Sequence, residues 1–233
     1  MVPNGRLKTG IPGVDEMTFG GLPENTVTIV SGPPGIGKTN FAMQFVYKGL
    51  EEYGDPAVYL TVEDPSDVVK SHARVFGWDL SKYEDDGKLI ILSQSNHGYD
   101  LSAEPRDTLG EAISRIGARR LVLDSLTFFK YMFKDTVTQR INFLNFIKEV
   151  KDTGCTALFT SEQHEGGHDI VFQDEHFLAD GLIQLFWNRH RERNERCFRV
   201  VKMRGTRINP DIRPMDITDK GVVVFPTQVP LSL

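Results

Sequence analysis

The residues with the clearest chemical potential are Gly32-Pro33-Pro34-Gly35-Ile36-Gly37-Lys38-Thr39, which fit the spacing G-x-x-x-x-G-K-[ST]. Each part of that pattern has a task. The glycines let backbone N–H groups curl around phosphate oxygens, and a helix beginning near Lys38, with Asn40 in its first turn, turns its positive end toward them. Lys38 reaches the terminal phosphates of a nucleotide, and the Thr39 hydroxyl ligates Mg²⁺. Phosphoryl chemistry also needs a carboxylate on the metal side. Asp124 ends the apolar run Leu121-Val122-Leu123, at the carboxyl end of a strand, where open α/β sheets bind ligands. Read alone, Asp124 is an ordinary turn cap; paired with the phosphate loop, it takes the Mg²⁺ role. A hydrolase further needs a group to orient or deprotonate water. Glu63 and Asp64 close the run Val58-Tyr59-Leu60-Thr61-Val62, and Glu63 is the candidate base, with Asp64 its neighbour and substitute. Their plain alternative is negative charge at the start of the helix after Pro65.

These residues require elements to hold them. TVTIVSG (26–32) reads as a buried strand, followed beyond the loop by a helix over 39–54 that Gly54 stops. Further strands are expected over 56–64, 88–95, 119–127 and 155–163, with helices over 68–77, 109–118 and 138–154 between them. Short continuous apolar strands separated by helices mean βαβ units and a sheet covered on both faces. The C-terminal strands 181–189, 196–205 and 221–226 have no helices between them and read as an antiparallel extension of the same sheet, with a hairpin tip at 189–195. No linker interrupts the pattern, so residues 1–233 are expected to form one domain.

Composition narrows the class. A chain of 233 residues can bury a sizeable core without a disulfide or metal staple. Lys and Arg number 27 against 32 Asp and Glu, a net charge of −5, which disfavours non-specific nucleic-acid binding. Two cysteines, Cys155 and Cys197, are too few for a secreted disulfide scaffold and read as buried thiols. No apolar run reaches the ~18 residues of a membrane span. The start MVPNGRLKTG has no apolar signal segment. The expectation is a cytoplasmic protein without membrane contact.

The ordered motifs carry a family resemblance. TGIPGVDEMTFGGLPENTVTIVSGPPGIGKTNFAMQFVYKGL resembles the opening of a KaiC domain, of the RecA superfamily of ATPases. VYLTVEDPSDV followed by FGWDL, then LVLDSLT, FLADGLIQL, VVKMRGT and ITDKGVVVF, are similar to the family's later segments in order, so the likeness covers nearly the whole chain. It implies a RecA-like α/β fold, a mostly parallel sheet flanked by helices, ATP or ADP with Mg²⁺, and a homo-hexameric ring with nucleotide at the subunit interfaces. It also implies slow hydrolysis coupled to a protein partner. The family's catalytic acid pair falls on Glu63 and Asp64, where the second acid departs from the more usual glutamate. Its K-x-R motif falls on Lys202-Met203-Arg204, so the resemblance implies that Lys202 and Arg204 reach a neighbour's γ-phosphate. On pattern alone these two are a solvated strand face. Asp219, in ITDKG, matches a nucleotide contact at that interface. The family's clock members carry a Ser-His pair after K-x-R; here Thr206-Arg207-Ile208-Asn209 follows instead, so base and ribose contacts differ. Other classes fit parts of the pattern: a DNA-stimulated recombinase paralogue, a nucleotide-gated scaffold and an autokinase.

Several signals are weighed against this reading. His164-Glu165-Gly166-Gly167-His168 is a literal H-E-x-x-H, but zinc chemistry needs it on a helix, and two glycines oppose one. The stretch Gln163 to Glu175 holds Glu165, Asp169, Asp174 and Glu175 and no Lys or Arg, which repels nucleic-acid phosphates. Against that, Arg189, Arg191, Arg193, Arg196, Arg199, Lys202, Arg204 and Arg207 face only Glu192 and Glu195, a basic strip read here as an interface with a neighbour before it is read as a nucleic-acid surface. Thr160, Ser161 and Glu162 either sense the γ-phosphate or simply end a strand. Phe128, Phe129, Tyr131, Met132 and Phe133, with Lys130 and Lys134, read as a short buried helix with its lysines in solvent. Trp78 and Trp187 read as packing residues.

Overall fold

A computed structural model describes residues 5–93, 106–127, 135–163, 172–190 and 193–231. A small ribbon of β1 (Arg6–Leu7) and β2 (Leu22–Pro23) encloses the one-turn α1 (Val14–Met17). The main sheet takes β3 (Val27–Gly32), β4 (Ala57–Thr61), β5 (Leu89–Ser93), β6 (Arg120–Asp124), β7 (Thr156–Glu162), β8 (Gly181–His190), β9 (Arg193–Met203), β10 (Arg213–Thr218) and β11 (Gly221–Val224). Its nine strands lie in the order β11-β10-β9-β8-β3-β7-β6-β4-β5. From β8 to β5 all neighbours are parallel; β8 to β11 pair antiparallel. This is the mostly parallel RecA-like sheet with a C-terminal antiparallel extension that the sequence implies.

The central strands β3, β4, β6 and β7 read as near-continuous apolar runs because both faces are covered. On one face Val30, Tyr59, Val122 and Leu158 pack against α2 (Lys38–Lys48) through Phe41 and Phe45. On the other, Ile29, Leu60, Leu121 and Phe159 meet α5 (Arg106–Ile116) and α6 (Thr136–Asp152) through Leu109, Ile113, Phe143 and Ile147. α3 (Ser66–Arg74) and α4 (Leu80–Asp85) follow β4. Among the described residues no helix is long and apolar enough to cross a membrane.

The structure departs from the expected boundaries in ways that have local causes. The helix leaving the phosphate loop ends as a π-helical turn over Gly49–Tyr53 before Gly54 enters the left-handed region at φ 67°. A side chain at Gly49 would meet the Arg120 guanidinium, with its Nε 2.2 Å from the Cβ. The strand expected over 56–64 stops at Thr61, whose hydroxyl folds the chain over: Asp64 N–H donates to Thr61 Oγ1 at 3.1 Å, and that hydroxyl donates to Asp64 O at 2.9 Å. Glu63 and Asp64 therefore sit in a bend beyond the strand, not at its last positions. β10 is a strand outside those expected; it joins the antiparallel extension with Pro214 paired to Cys197 of β9. Within the acidic stretch Gln163 to Glu175, Asp174 and Glu175 begin a short helix, α7 (Asp174–Leu178).

Candidate nucleotide site

β3 ends at Gly32, the loop follows, and α2 begins at Lys38. Gly37 holds φ 113°, and a Cβ there would lie 2.6 Å from Ile217 Cδ1, so the loop's second turn is closed to side chains from both backbone and packing. Pro34 and Gly35 stand exposed, Gly32 and Ile36 are buried, and Thr39 and Asn40 are part-exposed at the helix start. Lys38 is buried, and its Nζ donates to Gly32 O at 3.0 Å and to Pro33 O at 3.1 Å. Burial pushes the Lys38 ammonium down, and the carboxylates of Glu162, Asp124 and Glu63 push back. Asp124 ends β6, Glu162 ends β7 and Glu63 lies in the bend just beyond β4, so all three stand at the sheet's carboxyl edge, where the loop carrying Lys38 leaves β3.

The acidic groups are themselves held. Asp124 Oδ2 accepts from Tyr59 Oη at 2.9 Å, and its Oδ1 accepts from Thr160 Oγ1. Ser125 Oγ donates to Glu63 Oε1 at 3.2 Å, which ties the candidate base to the residue after Asp124. Glu63 is exposed. Asp64 is anchored by its backbone, accepting also from Ser93 Oγ at 3.1 Å. Thus Lys38, Glu63 and Asp124 come together, Thr39 stands in the adjoining first turn of α2, and Glu162 joins the carboxylates. Of the Thr160-Ser161-Glu162 group, Thr160 reaches Asp124, and Ser161 Oγ donates to Glu175 Oε1 of α7 at 3.2 Å. Tyr59 was legible as a core residue only; a tyrosine inside an otherwise aliphatic strand is the one signal that could have flagged it.

Lys202 and Arg204 lie elsewhere. Arg204 N–H donates to Asp180 O, and Asp180 N–H donates to Val27 O, both at 2.9 Å, so Arg204 is level with the first residue of β3. Five residues of strand separate that level from Gly32, about 16 Å at ~3.3 Å per residue. Lys202 Nζ donates to His176 O at 2.7 Å and Arg204 to Phe177 O at 2.7 Å, on the carbonyl end of α7. Burial and the neighbouring Arg204 lower Lys202, and Asp180 raises it. Asp219 is exposed in the turn between β10 and β11, two residues beyond Ile217, whose Cδ1 packs beside Gly37.

Three arginines of the basic strip are held by neighbours. Arg196 lies over Trp187 at 4.6 Å and near Asp216 at 3.8 Å, Arg199 donates to Gln184 at 2.7 Å, and Arg207 lies over Phe19 at 4.7 Å. Cys155 and Cys197 are buried, and burial raises both thiols, Cys197 to about 12. Trp78 is buried and Trp187 partly so, both packed against aromatic or cationic neighbours. The H-E-x-x-H stretch, with Glu165 and Asp169, lies outside the described residues, as do the aromatic segment from Phe128 to Lys134, and Arg191 and Glu192.

A glycine-rich loop feeding a helix from the central strand of a parallel sheet, with strand-end carboxylates around its lysine, defines an α/β P-loop ATPase of the RecA type. The family model described as "ATPase: KaiC" matches residues 7–229, and the chain belongs to that family. It is 35% identical over 238 residues to a UPF0273 protein of Methanocaldococcus jannaschii, covering 96% of this chain and 98% of that one. A UPF0273 protein of Pyrococcus furiosus is likewise 35% identical over 238 residues, covering 96% and 95%. The circadian clock oscillator protein KaiC of Synechococcus elongatus is 36% identical over 231 residues, covering 95% of this chain but 44% of the clock protein.

Proposed function

We propose that this chain is a cytoplasmic single-domain ATPase that hydrolyses Mg·ATP slowly at the subunit interfaces of a homo-oligomeric ring, a hexamer by family analogy. In this reading the nucleotide state is passed to a protein partner. The observation that carries it is the separation of Lys202 and Arg204 from their own phosphate loop. By register Arg204 lies about 16 Å and Lys202 about 10 Å of strand below that loop, and both are held by the carbonyls of His176 and Phe177 instead of turning toward it. A head-to-tail ring brings them to the next subunit's loop.

The residues of the chain fit Mg²⁺ with nucleotide: a desolvated lysine amid carboxylates, a helix-start threonine and a strand-end aspartate with both oxygens already oriented. Thr39 and Asp124 would hold the metal, whose chemistry is neutralisation of developing phosphate charge. The backbone of Gly32 to Gly37 and the start of α2, with Asn40, cradle the phosphates. Lys38 exchanges its bonds to Gly32 O and Pro33 O for phosphate oxygens. Glu63, aimed by Ser125, accepts a proton from the attacking water, with Asp64 beside it. Lys202 and Arg204 from a neighbour stabilise charge as the terminal phosphoryl group leaves. Asp219 takes part at the nucleotide at the same subunit interface.

Mixing tests the reading. Lys38→Ala and Arg204→Ala are each expected to abolish steady-state phosphate release, the latter by roughly 10³-fold or more. In random mixed rings about a quarter of sites pair an intact Lys38 with an intact neighbouring Arg204, so an equal mixture recovers about that fraction of activity. Normal turnover by oligomeric Arg204→Ala, or no recovery on mixing, refutes action between subunits. Stimulation by single-stranded DNA would favour the recombinase reading instead.

A further inference from the structure

Asp124 is bracketed from both sides. β6 lies between β7 and β4, with Asp124 in register with Thr61, and Leu123 with Phe159, the residue before Thr160. Side chains two apart share a face of the sheet, so Tyr59, Thr61, Val122, Asp124, Leu158 and Thr160 all stand on the face that α2 covers. Tyr59 sits one pleat below Asp124 on the next strand, and the length of its ring carries the phenol oxygen up to the carboxylate. The result is one donor for each carboxylate oxygen: Tyr59 to Oδ2 and Thr160 to Oδ1. Both donors are buried, Tyr59 at 1% exposure and Thr160 at 0%.

The tyrosine hydroxyl needs explaining. Its ring lies in the apolar core with Val122, Leu158 and Phe41, where phenylalanine would fill the space with no polar atom to desolvate. The tyrosine's hydrogen bond goes to Asp124.

We propose that Tyr59 and Thr160 are positioning residues for Asp124. By donating to opposite oxygens they fix the rotation of the carboxylate plane and leave each oxygen its second lone pair for Mg²⁺ or a metal-bound water. They touch neither nucleotide nor water themselves. The inference rests on the Mg·nucleotide reading given above. Donors behind a metal-side ligand commonly set metal affinity by 10–100-fold.

The test is Mg²⁺-linked nucleotide binding by full-length protein, with a fluorescent non-hydrolysable ATP analogue followed by anisotropy, in EDTA and across a Mg²⁺ titration. Tyr59→Phe and Thr160→Val are each expected to bind the analogue in EDTA as the parent chain does. Each should need about tenfold more Mg²⁺ for half-maximal tightening. Thr160→Ser keeps the hydroxyl and should restore the parent midpoint, which a packing role for the threonine methyl would not predict. If Tyr59→Phe fails to fold, the contrast between Thr160→Val and Thr160→Ser decides. Parent-like Mg²⁺ midpoints in Tyr59→Phe and Thr160→Val overturn the proposal and leave the nucleotide reading standing. A parent chain that binds the analogue no more tightly with Mg²⁺ than in EDTA overturns both.

Discussion

Replacing Arg120 with methionine should cost more stability than any change to the surface charges. Arg120 opens β6 fully buried, at 0% exposure, and faces Asp55 at 3%. Its Nε and one terminal nitrogen donate to Asp55 Oδ2 at 3.0 and 2.7 Å. The other terminal nitrogen donates to Phe45 O at 2.9 Å, and the first also reaches Lys8 O at 2.8 Å. The guanidinium stacks over Phe45 at 4.7 Å and Tyr53 at 5.5 Å. It thereby joins the strand that leads to Asp124 to the far end of the helix that begins at Lys38, where the π-helical turn alters the backbone bonding pattern. Methionine keeps the apolar length of the side chain and removes every donor. Phe45 O and Lys8 O lose their guanidinium donors, and Asp55 keeps Arg119, whose side chain is 54% exposed. Breaking a buried pair on one side costs about 3–5 kcal/mol. In a chain of this size each kcal/mol moves Tm by roughly 2–4 °C, so a fall of roughly 6–20 °C is expected. Thermal denaturation of nucleotide-free protein reads it, with Asp55→Asn and the double variant completing a cycle. The two changes should be non-additive by about 1 kcal/mol or more. A loss below about 1 kcal/mol for Arg120→Met, or strict additivity, refutes the claim that this pair ties the two elements together.

Three further outcomes follow from the same contacts. Glu63→Gln should slow phosphate release by roughly 10²-fold or more while leaving Mg·nucleotide affinity unchanged; unchanged release removes Glu63 as the base. Gln44 is buried and brackets the edge strand, donating to Val222 O at 3.0 Å and accepting from Val222 N–H at 2.6 Å. Gln44→Leu orphans both backbone groups at about 1–3 kcal/mol each, so chemical denaturation should show a loss of at least about 2 kcal/mol, and a loss near zero means that the edge is sealed by something else. The thiols give a pH prediction. A raised thiol stays protonated, and its reactive thiolate accumulates only as pH climbs toward the raised value; for Cys197 that is about 12. At pH 8 the native protein should therefore be inert to a thiol-specific disulfide reagent, and both cysteines should react in denaturant. A rapid native reaction of either thiol contradicts their burial.

What the sequence made legible and what it hid differ by the range of the interaction involved. The phosphate loop, the parallel sheet and the buried strands are written in local spacing, because a glycine pattern or an apolar run carries its own physical meaning wherever it stands. The bend at Glu63 depends on one hydroxyl, Thr61, bonding three residues on, and a serine or threonine at a strand end does not announce which backbone group it will choose. β10 was hidden because Pro214 cannot donate to a ladder, and the cost of that loss is decided by the sheet position it takes. Arg120 and Tyr59 were harder still. Within RLVLD and VYL they read as one end of a strand and one core aromatic, and their partners lie 65 residues away in sequence, at Asp55 and Asp124. Polar groups buried in a sheet take their meaning from the strand order, which no window along the chain contains. The placement of Lys202 and Arg204 is the same lesson with a functional edge. Family likeness implied a role for them at phosphate, but only the register of β8 against β3 and β9 sets Arg204 level with the start of β3 and Lys202 level with Ile29, both below their own loop. That distance turns a motif into an argument for a second subunit.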